Sequence, residues 1–378
     1  MKSCTSSQIR LLKIDVPHQP ANRCTGANSG TVTIADNDSE QPKLVEPAKN
    51  LLSIEGGSVN SLLKFTKVAQ PNSDLSEVCA FVVDDDLGQI NGIKPGESGY
   101  VAAAIGRAST IFSSLGNSSF DRQNDSNSQR YLNYTPGERL EFLAIGNETL
   151  DRVRTDLAAN KPTANILFSL PSANPSNATQ VKFTSNTNGT YDIAFKDITL
   201  KVEALDNVNV QGGTSMQSKL EGQVIDLRGY GGGNAIVDTK TIGDADYNNF
   251  IAFYAVEDER GTLANGLKPG DVGYAQAAIE SAVLGTRFRS QVDTNMFVTG
   301  GKIMAPVVAN GTFDNFLKQN PNNNANSNIH AYFNYIGANT DKVDRFRLLG
   351  DNKFGVEDMY GGGDRDYNDL VFQMTIKN

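Results

Sequence analysis

The sequence predicts a mainly β protein made of two tandem β-sandwich or jelly-roll domains, each with one or two short helices. Three observations predict it. Gly, Asn, Asp and Ser punctuate the chain about every eight to twelve residues, the spacing of short strands. Between these turn signals lie short apolar or alternating runs. A block of domain length then recurs with its order and spacing kept, which means tandem domains and not a solenoid.

In chain order, the expected strands include 31–34, 80–83, 140–143 and 166–168 in the first part, and 250–254 and 370–374 in the second. Two Ala-rich stretches, 99–105 and 273–279, have good helix propensity and interrupt the strand pattern. These helices expose the repeat. Residues 79–105 run through a strand, adjacent acids, a Gly turn, Lys-Pro-Gly, a further acid and Gly-Tyr into a helix, and 251–279 do the same. Downstream, 146–151 parallels 309–314, 166–174 parallels 330–339, and 191–197 parallels 354–358. The copies are placed at 50–205 and 219–378, each of ordinary domain size, separated by linker-like stretches at 39–49 and 206–218.

Charge and rare residues narrow the chemistry. With 34 basic and 43 acidic side chains the net charge is −9, which argues against nucleic-acid binding and suits cation binding or solubility. The two histidines, His18 and His330, lie far apart, so a zinc hydrolase or a serine triad is disfavoured, and both are expected to be ordinary surface or loop residues. Cys4, Cys24 and Cys79 are an odd number at no metal-like spacing. Tryptophan is absent, leaving Tyr and Phe for any sugar stacking. Residues 1–20 hold no apolar run of signal-peptide length, and no later run has the 18 or so apolar residues of a membrane span.

The copies diverge at one loop. After Asp358 the second copy continues MYGGGDRDYND into a strand, whereas the first passes directly from Asp197 into Ile198. From Glu357 to Asp369 there are five acids and one Arg, a local net charge of −4 that calls for a cation or solvent. Asp364, Asp366 and Asn368 offer oxygen donors at alternate positions, with Glu357, Asp358 and Asp369 beside them. Such oxygen-rich sets suit calcium, and the Gly361–Gly363 run allows tight turning. An EF-hand is excluded, because its sixth and twelfth positions would be Asp369 and Thr375. The motif recurs at 243–249, where Asp244, Asp246 and Asn248 precede the strand starting near Phe250, so two strand entries are expected to lie side by side and share or neighbour ions. Calcium is favoured over magnesium by the flexible ligands on offer, and zinc is disfavoured by the lack of His and Cys nearby.

At these residues the chain resembles the family called domain of unknown function 4114. The likeness rests on 354–358 followed by GGGDRDYNDLV, and on KPGDVGYA at 268–275 preceded by 252–254; it spans 225–378, with 50–205 similar to a degenerate copy lacking the acidic loop. Residues 30–38, GTVTIADND, look like the closing strand of a Calx-beta module, of which 1–38 is too short to be the whole. The resemblance implies a large bacterial secreted or surface protein with calcium-dependent β-modules, no established enzymatic activity, and an extracellular or cell-surface location, of which this chain is expected to be a fragment or a misannotated start.

The leading functional expectation is therefore a calcium-binding, non-catalytic, adhesin-like module, with calcium and a surface glycan or another protein as partners. The alternative is a calcium-dependent carbohydrate-binding domain, with Tyr247, Tyr360 and Tyr367 able to stack on sugar. A glycoside hydrolase built on Glu257–Asp258 or Glu357–Asp358 is remote, since adjacent strand residues point to opposite faces. Sequons such as those at Asn117, Asn147, Asn177, Asn188 and Asn310 are expected by chance in Asn-rich loops.

Overall fold

Two kinds of strand occur in the chain, and their burial explains the layering. A strand covered on one face alternates inward apolar and outward polar residues, whereas one covered on both faces is apolar throughout. The computed structural model describes residues 41–57, 61–69, 76–114, 128–161, 165–178, 181–195, 198–205, 223–230, 234–243, 247–282, 288–289 and 294–377.

The first half runs β1 (Lys43–Ala48), β2 (Leu51–Glu55), β3 (Leu62–Ala69), β4 (Ser76–Val83), α1 (Tyr100–Arg107), β5 (Ser109–Ser113), β6 (Gln129–Asn133) and β7 (Arg139–Gly146). It continues with α2 (Leu150–Ala158), β8 (Asn165–Phe168), β9 (Lys182–Ser185), β10 (Tyr191–Ala194) and β11 (Thr199–Leu205). The second half contains β12 (Ile225–Asp226), β13 (Asn234–Ile242), β14 (Phe250–Val256), α3 (Tyr274–Ser281), β15 (Phe288–Arg289) and β16 (Thr294–Thr299). After these come β17 (Ile303–Ala309), α4 (Phe313–Gln319), β18 (Ala331–Phe333), β19 (Phe346–Gly350), β20 (Lys353–Val356) and β21 (Leu370–Lys377).

Each half is a sandwich of two antiparallel sheets with helices on one outer face. In the first, one sheet has the order β1-β2-β7-β4-β5 with β8 also on β7, and the other has β6-β3-β11-β10-β9. In the second, the orders are β12-β17-β14-β15 with β18 on β17, and β16-β13-β21-β20-β19. Apart from the added β1, the strand orders correspond one for one, so the repeat read in the sequence is a repeat of topology.

The helix-bearing sheet is the middle layer. β7 is buried at every position but its ends and β17 at all of them, while β11 and β10 alternate. Phe65, Phe142, Ile193 and Leu200 fill the space between the sheets of the first half, and Phe81, Tyr100, Ile105 and Phe168 pack the helices onto its other face. Phe253, Phe354 and Phe372 occupy the inter-sheet core of the second half, and Tyr254, Tyr274, Phe313 and Phe333 lie under its helices.

Polar details repeat as well. The Tyr100 hydroxyl donates to the Gly88 carbonyl (2.9 Å) and the Tyr274 hydroxyl to that of Gly261 (2.8 Å). The second partner differs: Glu141 accepts from Tyr100 at 2.6 Å, whereas Tyr254 meets Tyr274 at 3.2 Å. Asn174 and Asn339 each clamp the backbone of the preceding strand, the amide group bonding both N–H and C=O of Phe168 or Phe333.

The described residues amend the expected boundaries at one point. The stretch read as a linker at 39–49 contains β1, which pairs with β2 through Lys43–Glu55 and Leu44–Ile54. The linker at 206–218 and the Calx-beta-like segment at 1–38 lie outside the described residues. Cys4, Cys24 and His18 lie there too, while Cys79 is buried with its thiol pushed up by burial.

The halves also join. Arg130 on β6 pairs with Asp351 after β19 at 3.2 Å, the Tyr131 N–H reaches the same carboxylate, and the Asp351 N–H donates to the Gln129 carbonyl. Thr149 hydrogen-bonds Asp344, and Arg152 donates to the Lys342 carbonyl at 3.0 Å. Ser39–Asn378 is consequently one compact unit.

Candidate metal centre

The acidic loop connects β20 to β21, adjacent antiparallel strands of the outer sheet in the second half. β13 pairs with β21 on the other side, with Ile242 opposite Val371, so Gly243 arrives against Asp369. A Cβ on Gly243 would overlap the Asp369 carbonyl oxygen, and this close approach explains the glycine. The second motif therefore begins beside the entry of β21, at the exit of β13, while β14, the strand it leads into, belongs to the other sheet. Of the second motif, Asp244 and Asp246 lie outside the described residues, and Asn248 is exposed.

Within the loop, Glu357, Asp364 and Asp366 each bring one carboxylate oxygen within 4.8 Å of the others. Glu357 is 1 % exposed, and neither of its oxygens has a hydrogen-bond donor. Asp364 is exposed and Asp366 partly buried. Burial first, then Asp369 through its charge and through a hydrogen bond with the protonated carboxyl, then the charges of Asp364 and Asp366, push the Glu357 carboxyl up to about 9. This is the electrostatic cost of crowding carboxylates in a dry place without a counter-charge.

Backbone conformation produces the convergence. Gly363, Arg365 and Tyr367 all have positive φ (43°, 60° and 60°), alternating with Asp364, Asp366 and Asn368. Arg365 and Tyr367 are not glycines, so the left-handed region costs each about 1–2 kcal/mol. A Cβ on Gly363 would overlap Oε1 of Glu357. The loop is thus folded tightly onto the buried carboxylate. Its first part is fixed by Asp341, which accepts from the Gly361 N–H (2.8 Å) and from Arg345, while Arg345 also donates to the Met359 carbonyl.

The remaining candidates have other commitments. Asp358 is buried, and its Oδ2 accepts from the side-chain amide of Asn249 at 2.5 Å. Burial, then the Asp369 charge, shift its carboxyl upward against that hydrogen bond. Asp369 accepts from the Asp358 N–H at 2.9 Å. Asn368 is buried and its N–H donates to Asp366 at 3.2 Å. Asn249, at the last position of the second motif, is the residue sequence reasoning did not single out. It ties the entry of β14 to the exit of β20, and its position directly before an apolar strand was the available signal.

The surroundings of three side chains bear on the alternatives raised from the sequence. Tyr367 is buried, its hydroxyl donating to the Asp344 carbonyl (2.9 Å) and its ring lying under the Arg347 guanidinium, so it offers no sugar-stacking face. His330 lies in a loop, one of the two settings expected, but it is buried there and stacks on Tyr360 with ring centroids 4.6 Å apart. Glu357 and Asp358 follow β20 and are both buried, so strand alternation does not send them to opposite faces.

The oxygen-only donor set, the partnerless buried carboxylate and the glycine cradle around it fit a hard divalent cation.

Comparison with known families gives one match. The family model described as a domain of unknown function (DUF4114) matches residues 297–377, which supports one copy of that domain there, including the whole acidic loop. No curated protein and no solved structure matches the chain.

Proposed function

We propose that the second half binds a calcium ion through Glu357, Asp364 and Asp366, and that the chain is a non-catalytic, adhesin-like module of a larger extracellular or cell-surface bacterial protein. One observation carries the calcium reading. Glu357 is a buried carboxylate with no donor on either oxygen, and two further carboxylates approach it. Leaving such a group uncompensated is costly, and a cation removes the cost. An all-oxygen set on a glycine-rich loop favours calcium over zinc, and the varied carboxylate, amide and backbone oxygens on offer favour it over magnesium, which demands near-octahedral geometry. In this reading Asp369 and Asn368 would complete the shell, and Asp244, Asp246 and Asn248 would supply a neighbouring or shared site.

The wider assignment rests on the resemblance stated above. It reads the first half as a degenerate copy of the same domain and 1–38 as the end of a Calx-beta module. The common strand order of the halves supports the first part of that reading.

The test is a melting scan in calcium and in chelator. At about 100 times its dissociation constant the ion adds roughly 2.7 kcal/mol of stability. The Glu357→Gln variant is expected to lose that increment. Superimposable melts of the wild-type chain, with no binding heat by calorimetry, would overturn the reading.

A second reading places a carbohydrate beside the ion. Tyr360 and Tyr247 are 41 % and 45 % exposed next to the loop, with Met359, and the Tyr360 ring is backed by His330. A glycan array probed with and without calcium separates the two: sugar binding lost in chelator supports the platform, and its absence in both leaves the structural ion alone.

A further inference from the structure

A small cavity is lined in part by Arg365 and Tyr367 of the same loop. Arg347, on β19, is 1 % exposed, and its guanidinium sits 4.4 Å over the Tyr367 ring. Its Nε and one terminal nitrogen have no hydrogen-bond partner. A guanidinium buried with open N–H groups loses hydration without replacing it, which calls for an acceptor. Arg347 lines this cavity of about 60 Å³ at the seam between the halves, together with Arg152, Arg365, Asn147, Glu148 and Asp344.

Two carboxylates share this lining with the three arginines: Glu148, which is partly buried, and Asp344, whose carboxyl feels the Arg347 charge. Arg152 is held in place by Asp156 (3.0 Å) and the Lys342 carbonyl (3.0 Å). The Asp344 carboxyl is engaged by the Thr149 hydroxyl and the Phe346 N–H. Arg365 and Asn147 are exposed at the rim, so the cavity communicates with solvent. Three guanidinium groups thus surround a small space in which a ligand oxygen could meet the open N–H groups of Arg347. The planar fork of arginine matches oxyanions that accept two parallel hydrogen bonds.

We propose that this seam cavity binds a small oxyanion, a carboxylate, sulfate or phosphate group, with Arg347 as its anchor and Arg152 and Arg365 as flanking charges. Such an anion bridges the halves, because Arg152 belongs to the first and Arg347 and Arg365 to the second. The cavity admits the anionic head, and the rest of a larger ligand extends past Asn147 and Arg365. The site does not require the cation. The shared loop nevertheless serves both, with Asp364 and Asp366 for the cation and Arg365 and Tyr367 in the cavity lining.

The experiment titrates the whole chain in chelator with sodium sulfate, inorganic phosphate, acetate or glucuronate, with ionic strength held constant by chloride, and follows the melting temperature. A saturable rise with at least one anion is expected, by mass action on the folded state. Preference for acetate and glucuronate assigns a planar carboxylate, and preference for sulfate or phosphate a tetrahedral group. The Arg347→Met variant is expected to lose the response, and Arg152→Gln to weaken the apparent affinity by about tenfold or more, the loss of one charge-assisted hydrogen bond. Melting unaffected by every anion, or a response kept in full by Arg347→Met, overturns the proposal. Should Arg347→Met fail to fold, an undiminished response in Arg152→Gln overturns it. Because calcium is chelated throughout, neither result bears on the cation site.

Discussion

Gly363 illustrates how closely one residue constrains the acidic loop. Its φ of 43° and the absence of a Cβ let the backbone touch the Glu357 carboxylate. Gly363→Ala is therefore expected to cost about 1–3 kcal/mol in urea unfolding and to abolish any calcium-dependent stabilisation. Glu141 poses a different demand. Burial pushes its carboxyl up to about 8 despite hydrogen bonds from Tyr100 and the Leu170 N–H. Its folded value thus exceeds the ordinary unfolded one of about 4.3. Between those values the unfolded chain binds fewer protons, so stability falls as pH rises, by up to about 1.4 kcal/mol per unit, and levels off above the folded value. Asp344, raised by burial and by Asp151, acts in the same direction. Denaturant midpoints measured from pH 5 to 8 are expected to decline, and Glu141→Gln to flatten part of that decline.

Among elements, the equivalent helices α2 and α4 begin on the same device. Thr149 and Thr312 accept hydrogen bonds from the N–H groups of Arg152 and Asn315, each at 3.1 Å. Thr312→Ala should cost about 1 kcal/mol, the value of an N-cap. Thr149 also donates its hydroxyl to Asp344 across the seam, so Thr149→Ala should cost more, because a buried carboxyl loses a donor. Paired urea titrations of the two variants check the order. The strands follow the same logic of shared position. The 140–143 run within β7 was read as a strand, but that β7 and β17 each lie in a middle layer depended on helices packing over the second face.

At the scale of the molecule, the seam determines whether the halves unfold together. Arg130 is buried and meets Asp351 from the other half, with Thr110 as a further acceptor. Replacing Asp351 by Ala removes a carboxylate facing a buried guanidinium, an expected loss of about 3 kcal/mol. Calorimetry should register one transition for the intact chain and two in the variant, if the seam is what couples the halves. A single unshifted transition in Asp351→Ala would show that the coupling resides elsewhere.

The mainly β class, one Ala-rich helix in each half, the internal repeat and the acidic loop as the place where the repeated stretches differ were all legible in the sequence. Those features are local or periodic: turn residues, apolar alternation, Ala-rich stretches and a count of charges in thirteen residues. Which acids meet depends on the folded chain. It set Glu357, Asp364 and Asp366 together and gave Asp358 to Asn249, because the left-handed turns at 363, 365 and 367 and the β13–β21 register fix side-chain direction. It also buried Tyr367 and His330, and it set Arg152 and Arg347, nearly two hundred residues apart, around one cavity. No periodicity encodes such a meeting, since it depends on how two finished sandwiches share an edge.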